Sequence, residues 1–135
     1  MTDNGKKFDG FIDIVRELRA EKGCPWDRKQ SPVTLKRYLL EETRELIEAI
    51  DTGDHQHIKE EFGDLLYIIT LLAQIHSEQN FFAIGDVIES ISAKMVRRHP
   101  HVFAGEKIES TAELRQKWLE IKDCEKAGPD QPKKN

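Results

Sequence analysis

An all-α helical bundle is the fold this sequence predicts, and three observations predict it. Apolar residues return every three or four positions in almost every segment, no stretch alternates as a half-buried strand would, and Ser, Pro and Gly stand where helices need caps and stops. About five helices are expected on this pattern, with one antiparallel pair turning at Gly53.

Phe8, Phe11, Ile12, Val15 and Leu18 form the apolar stripe of a first helix, which stops at Gly23 and the Cys24-Pro25 step. Ser31 then offers a capping hydroxyl and Pro32 a preset first helical residue, so a second helix starts there and runs to Asp51. Asp51-Thr52-Gly53-Asp54 is a turn by composition, and a third helix follows to Gln79. Ile84, Val87, Ile88, Ile91 and Met95 carry a fourth helix into "RRHPHVF", where Pro100 ends it. Ser110 and Glu113 have the spacing of a capping box for a fifth helix containing Leu114, Trp118 and Ile121. One folded domain is expected over residues 8–126, between a disordered segment at 1–7 and a disordered polar tail at 127–135.

The third helix reads "LLYIITLLAQI" and is apolar on every face. Such a helix must be surrounded, and four short neighbours cover it only in part, so a homodimer is expected to complete the bundle, with a tetramer as a further step. A net charge of -4 and a pI near 5.8 argue against the phosphate-neutralising surface of a nucleic-acid binder. Cys24 and Cys124 lie far apart and lack the pairing of a zinc site or a disulfide framework. Met1 to Lys7 has no apolar core of a signal peptide. The longest nearly apolar run, Leu65 to Ile75, falls short of the roughly 20 residues that cross a bilayer, so no membrane partner and a cytoplasmic location are expected.

Between Tyr38 and Leu72 nine carboxylates crowd into apolar helical sequence, and four of them are in register about the turn. Glu42 and Glu45 share one helix face, as do Glu61 and Asp64, and Gly53 is the midpoint both of Glu45 with Glu61 and of Glu42 with Asp64. Folding about Gly53 brings the four level, roughly 12 Å from the turn at about 1.5 Å of rise per residue. Solvated acids have no reason to keep such register, although Glu-x-x-Glu spacing is also common on exposed faces. Clustered carboxylates repel one another unless some take up protons or a hard divalent cation neutralises them. Oxygen ligands that also meet phosphate point to magnesium, with manganese as a substitute. The Glu-x-x-His motifs of a di-iron bundle do not occur in the sequence.

With these residues in view, the sequence resembles the MazG family of nucleoside triphosphate pyrophosphohydrolases, within the all-α NTP pyrophosphatase superfamily. The resemblance spans about Phe8 to Lys126 and rests on three blocks: "GCPWD" (Gly23 to Asp27), "EETRE" with "EFGD" (Glu41 to Glu45, Glu61 to Asp64) and "KMVRRHPHVF" (Lys94 to Phe103). The family carries two such domains in tandem in many members, and this sequence is similar to the N-terminal copy. The resemblance implies Glu42, Glu45, Glu61 and Asp64 as metal ligands, and Lys94 and Arg98 beside the phosphates. It implies hydrolysis of the α-β phosphoanhydride of a nucleoside triphosphate to a monophosphate and pyrophosphate; on physical grounds Glu45 or Glu41 is the candidate base for the attacking water. A non-catalytic nucleotide-binding module of the same fold, and an enzyme like phosphoribosyl-ATP pyrophosphatase, are the alternatives.

Other residues carry weaker signals. Trp26 and Trp118 are candidates for stacking on a nucleobase, or for core or interface packing. Arg97, beside Arg98, is a candidate for the substrate set or a salt-bridge partner. His99 and His101 have no further nitrogen or sulfur ligand in sequence to complete a zinc site, and His55 and His57 are expected in solvent at the start of the third helix.

Overall fold

The computed structural model describes residues 3–127, and every regular element among them is helical. The chain divides into two compact units, Met1–Ile84 and Gly85–Asn135. The first unit holds α1 (Asp3–Arg19), α2 (Pro25–Lys29), α3 (Pro32–Thr52) and α4 (His55–Glu78). The second is built on α5 (Ile84–Arg98), α6 (Pro100–Phe103) and α7 (Thr111–Ala127).

Two of these seven helices are single-turn pieces that periodicity does not reveal. Each opens on a proline, Pro25 or Pro100, whose fixed φ suits a first helical turn as well as it ends the preceding helix. The first helix also begins earlier than expected. Asp3 to Lys7, placed by the sequence in a disordered segment, is helical, with Asp3 in the first turn paired to Lys7 at 2.6 Å. The expected tail at Gly128 to Asn135 lies outside the described residues.

Local chemistry sets the helix ends. At Ser31 a full capping box forms, with Thr34 N donating to Ser31 Oγ at 3.2 Å and Ser31 N donating to Thr34 Oγ1 at 2.8 Å. The turn is tighter than Asp51 to Asp54: α3 runs through Thr52, and Gly53 takes the left-handed conformation at φ 73° that closes it. Asp54 caps the next helix at once, its Oδ1 accepting from Gln56 N at 3.0 Å and His57 N at 3.3 Å. Gly23 answers to a different constraint, because a Cβ there would lie 2.3 Å from the Leu18 carbonyl oxygen.

Within the first unit, α3 and α4 form the antiparallel pair and α1 packs on α4. Val15, Leu35, Ile68, Leu71 and Ile75 make the buried centre, with Phe11, Tyr38, Leu39, Tyr67 and Leu72 against it. Each fully buried side chain of this size contributes about 1.5–3 kcal/mol. The all-round apolar α4 is only partly covered: Phe62, Leu66 and Ile69, spaced along one stripe, are 57%, 43% and 41% exposed. In the second unit Trp118 donates Nε1 to the Arg98 carbonyl at 2.6 Å, fixing α7 against the end of α5. No helix of the described residues is long and apolar enough to cross a membrane.

Candidate active site

Because Glu42 and Glu45 lie one turn apart on α3, the hairpin at Gly53 can set both against Glu61 of α4. It does so: one carboxylate oxygen from each of the three lies within 4.8 Å of the others, and all three residues are half-buried. Glu42 Oε2 and Glu61 Oε2 are buried without a hydrogen-bond partner. Burial pushes the Glu42 carboxyl up to about 7, helped by a hydrogen bond with Glu45 and by the charges of Glu45, Asp64 and Glu61.

Asp64 acts on Glu42 through its charge but is exposed and stands outside the three-carboxylate group. The register about Gly53 aligns its helix position, and the aspartate side chain is one methylene shorter than the glutamates it would join. Glu41 is also exposed and outside the group. His57 is a neighbour that the sequence reading left in solvent: its Nε2 lies 3.3 Å from Glu61 Oε1, one turn along α4. The i, i+4 spacing of His57 and Glu61 was the available signal.

The donor set fits a hard divalent cation. Three carboxylates converge, two of their oxygens are buried with nothing to donate to them, and among the described residues His57 is the basic side chain paired with them. Two oxygens bound to one magnesium at about 2.1 Å stand at most about 4.2 Å apart, so the observed spread needs only small side-chain closure.

The second unit holds the basic candidates. Arg97 Nε and Arg98 Nη2 both donate to Glu125, the latter at 3.1 Å. Glu125 is only 7% exposed, and although burial alone would raise its pKa, the two guanidiniums outweigh it and hold the carboxyl below its ordinary value. Lys94, four residues before Arg98 on α5, is half-buried. Arg98, Lys122, Glu125 and Lys126 line one concavity. Trp118 uses its indole N–H on the Arg98 carbonyl and meets His99 edge-on with ring centroids 5.6 Å apart. The Glu125 anchor, 27 and 28 residues from its partners, left no local signal.

Trp26 is 39% exposed on α2 and meets Tyr38 edge-on, ring centroids 5.2 Å apart. Its helix is hung from Arg19, which donates Nη1 to the carbonyls of Asp27 at 2.6 Å and Gln30 at 3.3 Å.

A family model described as the MazG nucleotide pyrophosphohydrolase domain matches residues 30–103, more than half of the chain. The sequence is 44% identical over 126 residues to a nucleoside triphosphate pyrophosphohydrolase/pyrophosphatase MazG of Thermotoga maritima, covering 93% of this chain and 48% of that protein. It is 40% identical over 122 residues to a nucleoside triphosphate pyrophosphohydrolase of Escherichia coli K12, covering 90% and 46%. It is 49% identical over 120 residues to the uncharacterized protein YabN of Bacillus subtilis, covering 89% and 24%. The chain thus spans between a quarter and a half of the length of these relatives. Among solved structures, a mazG-related protein from Thermotoga maritima aligns with a TM-score of 0.69 and 34% identity, over 84% of this chain and 96% of that one. The matched segment contains the hairpin, its three converging carboxylates and the Lys94–Arg98 helix, and the chain belongs to the MazG family.

Proposed function

We propose that this chain is a magnesium-dependent nucleoside triphosphate pyrophosphohydrolase that converts a nucleoside triphosphate and water to the monophosphate and pyrophosphate. The observation that carries the reading is the group of Glu42, Glu45 and Glu61, three carboxylates within 4.8 Å with two buried oxygens that have no donor. A triphosphate adds about four more negative charges near neutral pH, so approach to bare carboxylates is repulsive. Glu42, Glu45, Glu61 and Asp64 would hold the metal, the first three already converging and Asp64 acting on Glu42 from the same helix face as Glu61; manganese is the expected substitute. When bound, the metal supplies charge neutralisation between carboxylate and phosphate oxygens and lowers the pKa of water.

The chain's own residues then divide the work. Glu45, inside the group, is better placed than the exposed Glu41 to take the proton of the attacking water. The water oxygen bonds to a phosphorus of the α-β bridge, the bridging P–O bond breaks, and attack at either phosphorus gives the same products. His57 restrains Glu61 through its 3.3 Å contact. Lys94 and Arg98 are the proposed counter-charges for phosphate oxygens, with Arg97 beside them and Glu125 fixing both arginines. Trp26 is the proposed stacking surface for the base, and Trp118 acts by holding the Arg98 backbone.

The exposed stripe of Phe62, Leu66 and Ile69 supports a homodimer, with a tetramer as its doubling. A cytoplasmic setting agrees with two unpaired thiols. Pyrophosphate release from nucleoside triphosphates, measured with magnesium and then with excess chelator, tests the proposal. Release that stops with chelator and returns with magnesium or manganese is expected. Tight nucleotide binding without any release would make the chain a binding module instead.

A further inference from the structure

A second concavity of the first unit, about 540 Å3 in volume, lies beside α2 and the first turns of α3, lined by Trp26, Lys29, Val33, Lys36, Arg37 and Tyr38 among others. On α3 its last lining residue, Tyr38, stands one turn before Glu42 of the carboxylate group. The aromatic pair gives it apolar flat surface, and Val33, 71% exposed, adds an aliphatic wall. Arg37 is held in place there: its guanidinium sits 4.7 Å from the centroid of the Tyr38 ring, and Nη2 donates to the Tyr38 hydroxyl at 2.7 Å.

The polar chemistry of this groove is one-sided. Lys29, Lys36 and Arg37 are donors without lone pairs to accept with. The acceptors that also line it each carry one hydrogen bond from within the protein. Gln30 Oε1 accepts from Thr34 Oγ1 at 2.8 Å, and Thr34 Oγ1 accepts from Ser31 N. Gln30 Nε2 occupies the Trp26 carbonyl at 2.9 Å, and the Tyr38 hydroxyl accepts from Arg37. Glu41, one turn beyond Arg37, faces that guanidinium with its charge but does not line the groove.

We infer that this groove takes the nucleobase and selects oxo bases, with Arg37 and Lys36 as the specificity-determining side chains; this rests on the proposed nucleotide hydrolysis. Guanine presents O6 and N7 as acceptors, and uracil and thymine present O4, all matched to an arginine or lysine donor. Adenine and cytosine place an amino donor where guanine and uracil place their oxygen, adenine keeping only N7 as an acceptor at that edge, and Lys29, Lys36 and Arg37 have no lone pair to meet the amino group. An oxo base gains a charge-assisted hydrogen bond from these side chains that an amino group in the same place cannot make, and that difference is the source of the preference. Trp26 stacking is indifferent to base identity, so affinity and selectivity separate onto different residues.

Two measurements on the full chain test this. Binding of GMP, UMP, AMP and CMP is measured by calorimetry, and hydrolysis of the four triphosphates by pyrophosphate release, for the wild type, Arg37→Gln and Lys36→Gln. The expected result is about tenfold tighter binding of GMP and UMP than of AMP and CMP, one good donor–acceptor pair in size. The same ordering should appear in kcat/KM through KM. Arg37→Gln should bring the four ligands within about twofold of each other, since glutamine both donates and accepts, and Lys36→Gln should reduce the preference in part. Equal binding of all four, or a preference that survives both substitutions, overturns the assignment. Preferential binding of GMP and UMP with no hydrolysis of any triphosphate would leave the groove assignment standing and refute the proposed reaction. Arg37 is exposed on α3, so its replacement leaves the fold intact.

Discussion

Arg19 and Glu78, 59 residues apart in sequence, form a two-pronged ion pair, with Nε to Oε2 at 2.9 Å and Nη2 to Oε1 at 2.6 Å. The same guanidinium turns its remaining nitrogen to the carbonyls of Asp27 and Gln30, so one side chain ties the ends of α1 and α4 to the short helix that carries Trp26. Its side chain is only 11% exposed. Glu78 braces the arginine and is itself held below its ordinary pKa, chiefly by that hydrogen bond.

Glu78→Gln should therefore lower stability by about 1–2 kcal/mol, the loss expected for charge-assisted hydrogen bonds in a part-exposed pair. The urea midpoint should fall with the slope unchanged, and Trp26 emission should shift as α2 loosens. An unaltered midpoint and spectrum would show that the clamp contributes nothing.

Glu42 makes the metal-free protein sensitive to pH. Its folded pKa of about 7 lies above the ordinary 4.5, so the folded chain keeps a proton that the unfolded chain releases. The stability contribution is complete below about pH 4.5 and is lost as pH rises through 7. In chelator, wild type should weaken relative to Glu42→Gln between pH 5 and 8, read from paired urea midpoints. Metal affinity should run the other way and strengthen over the same range, because the ligand must shed its proton first.

Glu61→Gln keeps size while removing a charge from the group. The metal-free variant should be as stable as wild type or slightly more so, since repulsion falls, while turnover at saturating magnesium drops by about two orders of magnitude or more. His57→Ala should cost much less, a several-fold loss read mainly in the magnesium concentration needed for half-maximal rate. Near wild-type turnover by Glu61→Gln would remove the glutamate from the ligand set.

Assembly is tested at the stripe of Phe62, Leu66 and Ile69. Leaving such a face in water forgoes several kcal/mol at roughly 25 cal/mol per Å2, comparable to the whole stability of a small domain. Sedimentation at low micromolar concentration should show a dimer or tetramer and no folded monomer. Ile69→Glu should dissociate it. An active wild-type monomer would refute the association.

The sequence by itself determined the helical period, the cap at Ser31, a turn about Gly53 and the facing of Glu42 and Glu45 toward Glu61. These are local matters, set by interactions three or four residues apart and by the φ that glycine tolerates, so a sequence displays them directly. It also displayed Asp64 in register, and the charge of Asp64 acts on Glu42, while the three glutamates alone lie within 4.8 Å of one another. The tertiary structure alone decided the Arg19–Glu78 clamp, the anchoring of Arg97 and Arg98 on Glu125, and the commitment of the Trp118 indole to a backbone carbonyl. It also decided that Glu42 holds its proton to about pH 7, because a carboxyl's ionisation depends on the water removed from it and the charges packed beside it, which no spacing in the chain records.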